Sequence, residues 1–102
     1  MAARRLAVAV IGAGDAPASV CKLAHAAGRA LASGGVDLVC GGLGGVMEAA
    51  AAGARAAGGH TIGILPGYDR KSANPHIEFA VATGMGEARN AIVVASADAV
   101  IA

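Results

Sequence analysis

Aromatic side chains are nearly absent from this 102-residue chain, which has one Tyr, one Phe and no Trp. A core built on rings is therefore excluded. Charge of either sign is also scarce in excess: eight basic against seven acidic residues give a formal net charge of +1, with no run of like charge. A nucleic-acid surface needs a basic stripe or stacking rings, so no nucleic-acid partner is expected. Long hydrophobic runs are missing too. The apolar stretches are strand-sized and broken by Gly, Asp or Arg, far short of the ~20 residues that cross a bilayer, so no membrane partner is expected. Arg4 and Arg5 ahead of the apolar residues 6–11 imitate a signal peptide, but the run is short and flows straight into a glycine turn. The expected location is cytoplasmic.

Cysteine is limited to Cys21 and Cys40, with neither CxxC nor Cys/His ligand spacing. A zinc site and a disulfide scaffold are both disfavoured, and the two thiols read as small buried hydrophobes. His25, His60 and His76 are spread over a helix, a strand start and a loop, so they define no metal site. No serine sits in a GxSxG elbow and neither Lys22 nor Lys71 has a cofactor setting. Triad hydrolysis and pyridoxal chemistry find no support, and no cofactor is required.

What the chain has in abundance is small aliphatic residues and glycine: 56% hydrophobic residues and sixteen glycines without a fixed period. The length suits one domain, residues 1–102, with a core of Ala, Val, Ile and Leu packed at short distances. The glycines fall between apolar runs and mark turns and helix stops. Residues 6–11 are continuously apolar and end at Gly12-Ala13-Gly14, the pattern of a buried strand before a turn. Over residues 18–33, Val20, Leu23, Ala24, Ala27 and Leu31 recur at helical spacing before Gly34 and Gly35. Residues 36–40 predict a second strand, 45–57 an alanine-rich helix, 60–65 a third strand, and 66–75 a polar loop. A fourth strand over 77–82, a helix over 86–96 and a fifth strand over 98–102 complete the pattern. Strands alternating with helices predict a three-layer α/β/α Rossmann-like fold with a parallel sheet of about five strands, which binds ligands at the carboxyl ends of its strands. A last strand at the end of the chain would leave an edge and some of a helical layer uncovered, as in a truncated chain or one completed by a partner.

Four of the five residues from Gly41 to Gly45 are glycine, the exception being Leu43. They lie between a strand end and a helix start that continues through Val46, Met47 and Glu48. Free main-chain N–H groups and the helix dipole both favour an anion there, and a phosphate is the natural occupant. Gly41 and Gly42 let a ligand approach the main chain, while Gly44 and Gly45 expose amides; a tight turn packed without ligand is the bland alternative. Gly12 and Gly14 form a weaker signal, since Pro17 stands where the dinucleotide fingerprint has its third glycine. They can form a second pocket wall. The end of strand two carries Gly41 and Gly42 rather than a ribose-binding acid, which disfavours NAD or FAD, and Asp37 at the other end reads as a solvated turn residue. Thr83 and Gly84 follow a strand, with Glu87, Arg89 and Asn90 in the next helix's first turns. Arg89 can grip a phosphate or carboxylate through a forked contact. Glu48 and Glu87 either orient a ligand or complement a helix dipole.

The segments GGLGGVMEA at 41–49, GHTIGILPG at 59–67, Asn74-Pro75 and GEARN at 86–90 resemble the LOG (LONELY GUY) and molybdenum-cofactor-carrier superfamily of Rossmann-like nucleotide-binding proteins. The resemblance runs along nearly the whole chain. GVMEA and ARN are similar to the carrier branch, where the cytokinin-activating branch usually has Gly-Leu-Met-Gly and Arg-Lys. Members are often labelled lysine decarboxylase-like, a name no residue here supports chemically. The resemblance implies a binding or carrier protein for a phosphorylated nucleotide or molybdopterin-type ligand, with a nucleotide monophosphate or molybdenum cofactor bound and a homodimer or higher homo-oligomer formed. It also implies an alternative, a nucleoside 5'-monophosphate phosphoribohydrolase that cleaves the N-glycosidic bond with Arg89 as the matching catalytic residue. That branch uses a later PGGxGTxxE segment for phosphate binding and a catalytic glutamate, and this chain is expected to lack it. A third alternative is a domain that serves only assembly.

Overall fold

The computed structural model describes residues 5–102; Arg4, read with Arg5 at the amino end, lies outside them. The strands are β1 (Ala7–Val10), β2 (Asp37–Cys40), β3 (Thr61–Leu65), β4 (Phe79–Ala82) and β5 (Ala99–Ile101). The helices are α1 (Ala18–Ser33), α2 (Val46–Ala56) and α3 (Asn90–Ala95), with single 3-10 turns at Arg70–Ser72 and Gly86–Arg89. All five expected strands and the first two helices are present. The expected helix over 86–96 is divided: Gly86–Arg89 is wound as 3-10 and only Asn90–Ala95 is α. Such tightening is common where a helix begins, and here Gly86 enters at a φ of +60°.

All strands are parallel, in the order β4-β3-β2-β1-β5. The chain steps outward from β1 to β4 and then crosses back to place β5 on the far side of β1. Keeping both directions of travel right-handed requires helices on opposite faces of the sheet. Accordingly Val10, Leu38 and Cys40 pack against Met47, Ala50, Ala51 and Ala54 on one face. Ala9, Val39 and Ile64 meet Val93 of α3 on the other. The result is the three-layer, Rossmann-like α/β fold. No helix among the described residues is long and apolar enough to cross a membrane.

The small residues let α1 and α2 touch main chain to main chain. A Cβ on Gly28 would overlap the carbonyl of Ala50, and one on Gly53 would overlap the carbonyl of His25. Dispersion between close backbones replaces the large rings this core does not have. At the amino end of the sheet, Arg5 grips Asp37 with two hydrogen bonds of 2.9 and 2.5 Å. Asp37, expected as a solvated turn residue, thus opens β2 as an ion-pair partner. Nearby, His60 Nδ1 lies 2.8 Å from Glu78 Oε1 and Arg55 donates to Oε2 at 3.2 Å. The hydrogen bond from His60, aided by the Arg55 charge, lowers the Glu78 pKa. β5 is exposed at all three residues, unlike the buried strand its composition suggests.

Two outcomes are expected. Gly28→Val should destabilise the fold by about 2 kcal/mol or more, because a branched side chain there must push the two helix backbones away from each other; urea unfolding measures it. Cys40, fully buried at the end of β2, has its thiol pushed up from 9.0 to about 11 by burial, against the pull of the Gly42 amide and the Arg89 charge. A raised folded-state pKa means stability that is full below pH 9 and lost as pH rises toward about 11. Urea midpoints of the native chain should therefore fall more steeply over that window than those of Cys40→Ala, which has no thiol to ionise.

Candidate functional site

The turns after β1 and β2 meet at the carboxyl edge of the sheet. Gly45 adopts φ +64°, closed to most side chains, and any Cβ there would also overlap the Ala13 carbonyl. The Val46 amide donates to that carbonyl at 3.0 Å. Gly12 lies over the Val46 side chain, and Gly14 approaches Met47 Cε. The structure thus brings Gly12, Gly14 and residues 41–48 together. It also takes one expected donor out of play, since the first amide of α2 is spent on Ala13.

Two carbonyls of the glycine turn, those of Gly42 and Leu43, are held by Asn74, which is buried. Its main-chain amide donates to Gly42 O at 2.9 Å and its Nδ2 to Leu43 O at 2.8 Å. Its Oδ1 accepts from the His76 amide at 2.9 Å, so the carboxamide is fixed in orientation. With carbonyls directed to Asn74, the amides of Leu43, Gly44, Gly45, Met47 and Glu48 donate to no acceptor among the described residues. Of these residues Leu43, Gly44, Gly45 and Glu48 are partly exposed and Met47 is buried; main-chain donors left over at a strand-to-helix turn are of the kind that can bind an anion. The sequence shows Asn74 only within a motif, and its role as a clamp depends on the tertiary fold, although an Asn before Pro inside a polar loop is a turn signal.

Beside this turn a cleft of about 390 Å³ is lined by Gly14, Asp15, Cys21, Gly45, Glu48 and His76. Glu48 therefore faces ligand-sized space from the first turn of α2, as does His76, read from sequence as structural. A larger cavity of about 520 Å³ lies between α1 and the ends of β1 and β5, lined by residues such as Ile11, Val20, Leu23 and Ile101. It is apolar and offers an anion little, whereas the smaller cleft carries the polar groups.

Arg89 takes a different place from the one expected. Its side chain is buried beneath the glycine turn: Nε donates to Ile64 O at 2.9 Å and Nη1 to Asn90 Oδ1. Glu87 Oε2 lies 3.7 Å from Nη1 and 3.2 Å from Asn90 Nδ2. The guanidinium sits so close to Gly41 that a Cβ there would lie 2.7 Å from Nη2. Arg89 thus underpins the turn and supplies positive charge from below. Thr83 is likewise engaged in structure, its hydroxyl donating to Leu65 O at 2.7 Å and accepting from the Met85 amide at 3.2 Å. Gly84 lies on the same rim against Tyr68. Of the expected site residues, Gly14, Gly45 and Glu48 line the cleft and Gly12 lines the larger cavity, while Gly41 and Gly42 are buried and the Thr83–Asn90 group supports the rim behind them.

The fold has counterparts among known proteins. The structure matches the molybdenum cofactor binding protein from Rippkaea orientalis with a TM-score of 0.93 and 39% identity, over 97% of this chain and 62% of that one. It matches the Moco carrier protein of Chlamydomonas reinhardtii with a TM-score of 0.84 and 36% identity, over 95% and 60% of the two chains. An uncharacterized protein of Archaeoglobus fulgidus is 44% identical over 94 residues, 92% of this chain and 62% of the relative. The chain thus spans about 60% of the length of these relatives. The model of the SLOG cluster4 family matches residues 5–102. By that match over nearly the whole chain, the chain belongs to the SLOG cluster4 family, whose fold it shares with the molybdenum cofactor proteins above.

Proposed function

We propose that this chain is a binding or carrier protein for a phosphorylated nucleotide or molybdopterin-type ligand, with the phosphate on the Gly41 to Gly45 turn and the start of α2. One observation carries the reading: the Gly42 and Leu43 carbonyls are tied to Asn74 while five amides of the turn and the start of α2, those of Leu43, Gly44, Gly45, Met47 and Glu48, have no acceptor among the described residues. Neutral donors of this kind hold an anion by fixed dipoles rather than by side-chain charge. The names of the Rippkaea and Chlamydomonas proteins, which bind or carry molybdenum cofactor, supply the ligand class. Arg89 favours holding over cleaving, because two of its nitrogens are committed to Ile64 and Asn90. A homodimer or larger assembly, with a cytoplasmic location, completes the proposal.

Gly44 offers a clean test. It does not have a positive φ, and a Cβ on it would meet only Gly14 O at 3.4 Å and Glu48 Oε1 at 3.9 Å. Gly44→Ala should fold with nearly native stability. Gly44→Asp should also fold but set a carboxylate beside the bound phosphate, weakening AMP or molybdopterin binding by about tenfold or more in calorimetry. Equal affinity of Gly44→Asp and the native chain would remove the phosphate from this turn. Release of free adenine from AMP during the same titration would move the assignment to the N-glycosidase.

A further inference from the structure

The chain's single Tyr stands on the same rim as the glycine turn, and its position is unusual. Tyr68 is 89% exposed, yet its ring rests against Gly84 so closely that a Cβ there would overlap ring carbons. Gly84 has a φ of +64°, a conformation that keeps the seat free of side chain. The two turns forming the seat are laced together: Gly84 donates to Gly67 O at 2.8 Å, Gly86 to Pro66 O at 2.9 Å and Thr83 to Leu65 O at 3.2 Å. An aromatic ring held on one side by ordered backbone and open on the other is a stacking platform, not a surface residue left to wander. In a chain with two aromatic residues, this one was not needed for the core.

We propose that the open face of Tyr68 stacks the heterocycle, purine or pterin, of the ligand whose phosphate lies on the Gly41 to Gly45 turn. The inference rests on the phosphate reading above and extends it to the ring. The glycine turn follows β2, while the platform spans the turns after β3 and β4. Adjacent strands are about 4.8 Å apart, so the two lie roughly one to two strand spacings from each other along the rim. That separation suits a mononucleotide or pterin phosphate, whose anion and ring are held apart by a short linker. Planar rings accept such stacking whatever their edge pattern, so the platform selects for a flat heterocycle and leaves the choice among them to other contacts.

Ribose 5-phosphate, AMP and molybdopterin separate the two ideas. The native chain should bind the two ring-bearing ligands more tightly than ribose 5-phosphate. Tyr68→Ala should bind AMP and molybdopterin about tenfold more weakly, within the range lost when a base-stacking aromatic is removed, and ribose 5-phosphate unchanged. Tyr68→Phe should keep native affinity. Because Tyr68 is the sole tyrosine and there is no tryptophan, intrinsic fluorescence corrected for ligand absorbance reports on this ring alone; AMP should quench it and ribose 5-phosphate should not. If ribose 5-phosphate binds but AMP and molybdopterin gain nothing over it, or lose nothing in Tyr68→Ala, the platform is overturned and the phosphate site stands. If none of the three binds the native chain, both fall together.

Discussion

The carboxamide of Asn74 is the constraint on which the site depends. A peptide turn of four glycines has many conformations, and most of them point as many carbonyls as amides at any nearby solute. Asn74 removes that freedom by taking the carbonyls of Gly42 and Leu43, and it is itself held by the His76 amide and by burial. With those two carbonyls engaged, unpaired amides remain at the turn, and on the proposed reading they would hold the anion in a cleft whose other polar lining is Asp15, Glu48 and His76. Arg89 adds charge from beneath Gly41, held there by its hydrogen bond to Ile64 O near the end of β3.

The same economy shapes the fold. With few rings to fill volume, α1 and α2 gain contact by coming close enough that Gly28 and Gly53 meet the opposing main chain. Close helices bring the two glycine turns at their amino ends into contact, so that Gly45 can nestle against Ala13 and Val46 can donate to it. Core composition and site geometry are therefore linked: widening the helix pair would also separate the walls of the cleft.

Much of this is legible in the sequence. Runs such as residues 36–40 and 60–65, ended by glycine or proline, read as buried strands, and their alternation with helices points to the architecture. The glycine turn is legible because four glycines exceed what a simple turn needs. What escapes are side-chain destinations. Arg89 reads as a ligand contact because a helix-start arginine near a glycine turn can point either way along its own length, and only the tertiary fold turns it onto Ile64 O. Asp37 looks solvated because its partner, Arg5, is 32 residues away. Tyr68 carries no periodicity at all, and its seat exists only where two distant turns are laced together.

The character of the donors bears on what such a site can do. Main-chain amides have no protonation state to change in the ordinary pH range and cannot swing away from a ligand, so they hold an anion with constant strength and little reorganisation. Cleavage of an N-glycosidic bond asks for something else, a carboxylate aimed at the positive charge that develops on the sugar. Glu48, the acid nearest the turn along the chain, lines the cleft at the start of α2, where its charge also complements the helix dipole. On the proposal above, fixed dipoles would hold the ligand at one end and the flat ring of Tyr68 at the other, and neither contact is a carboxylate aimed at the bond between them.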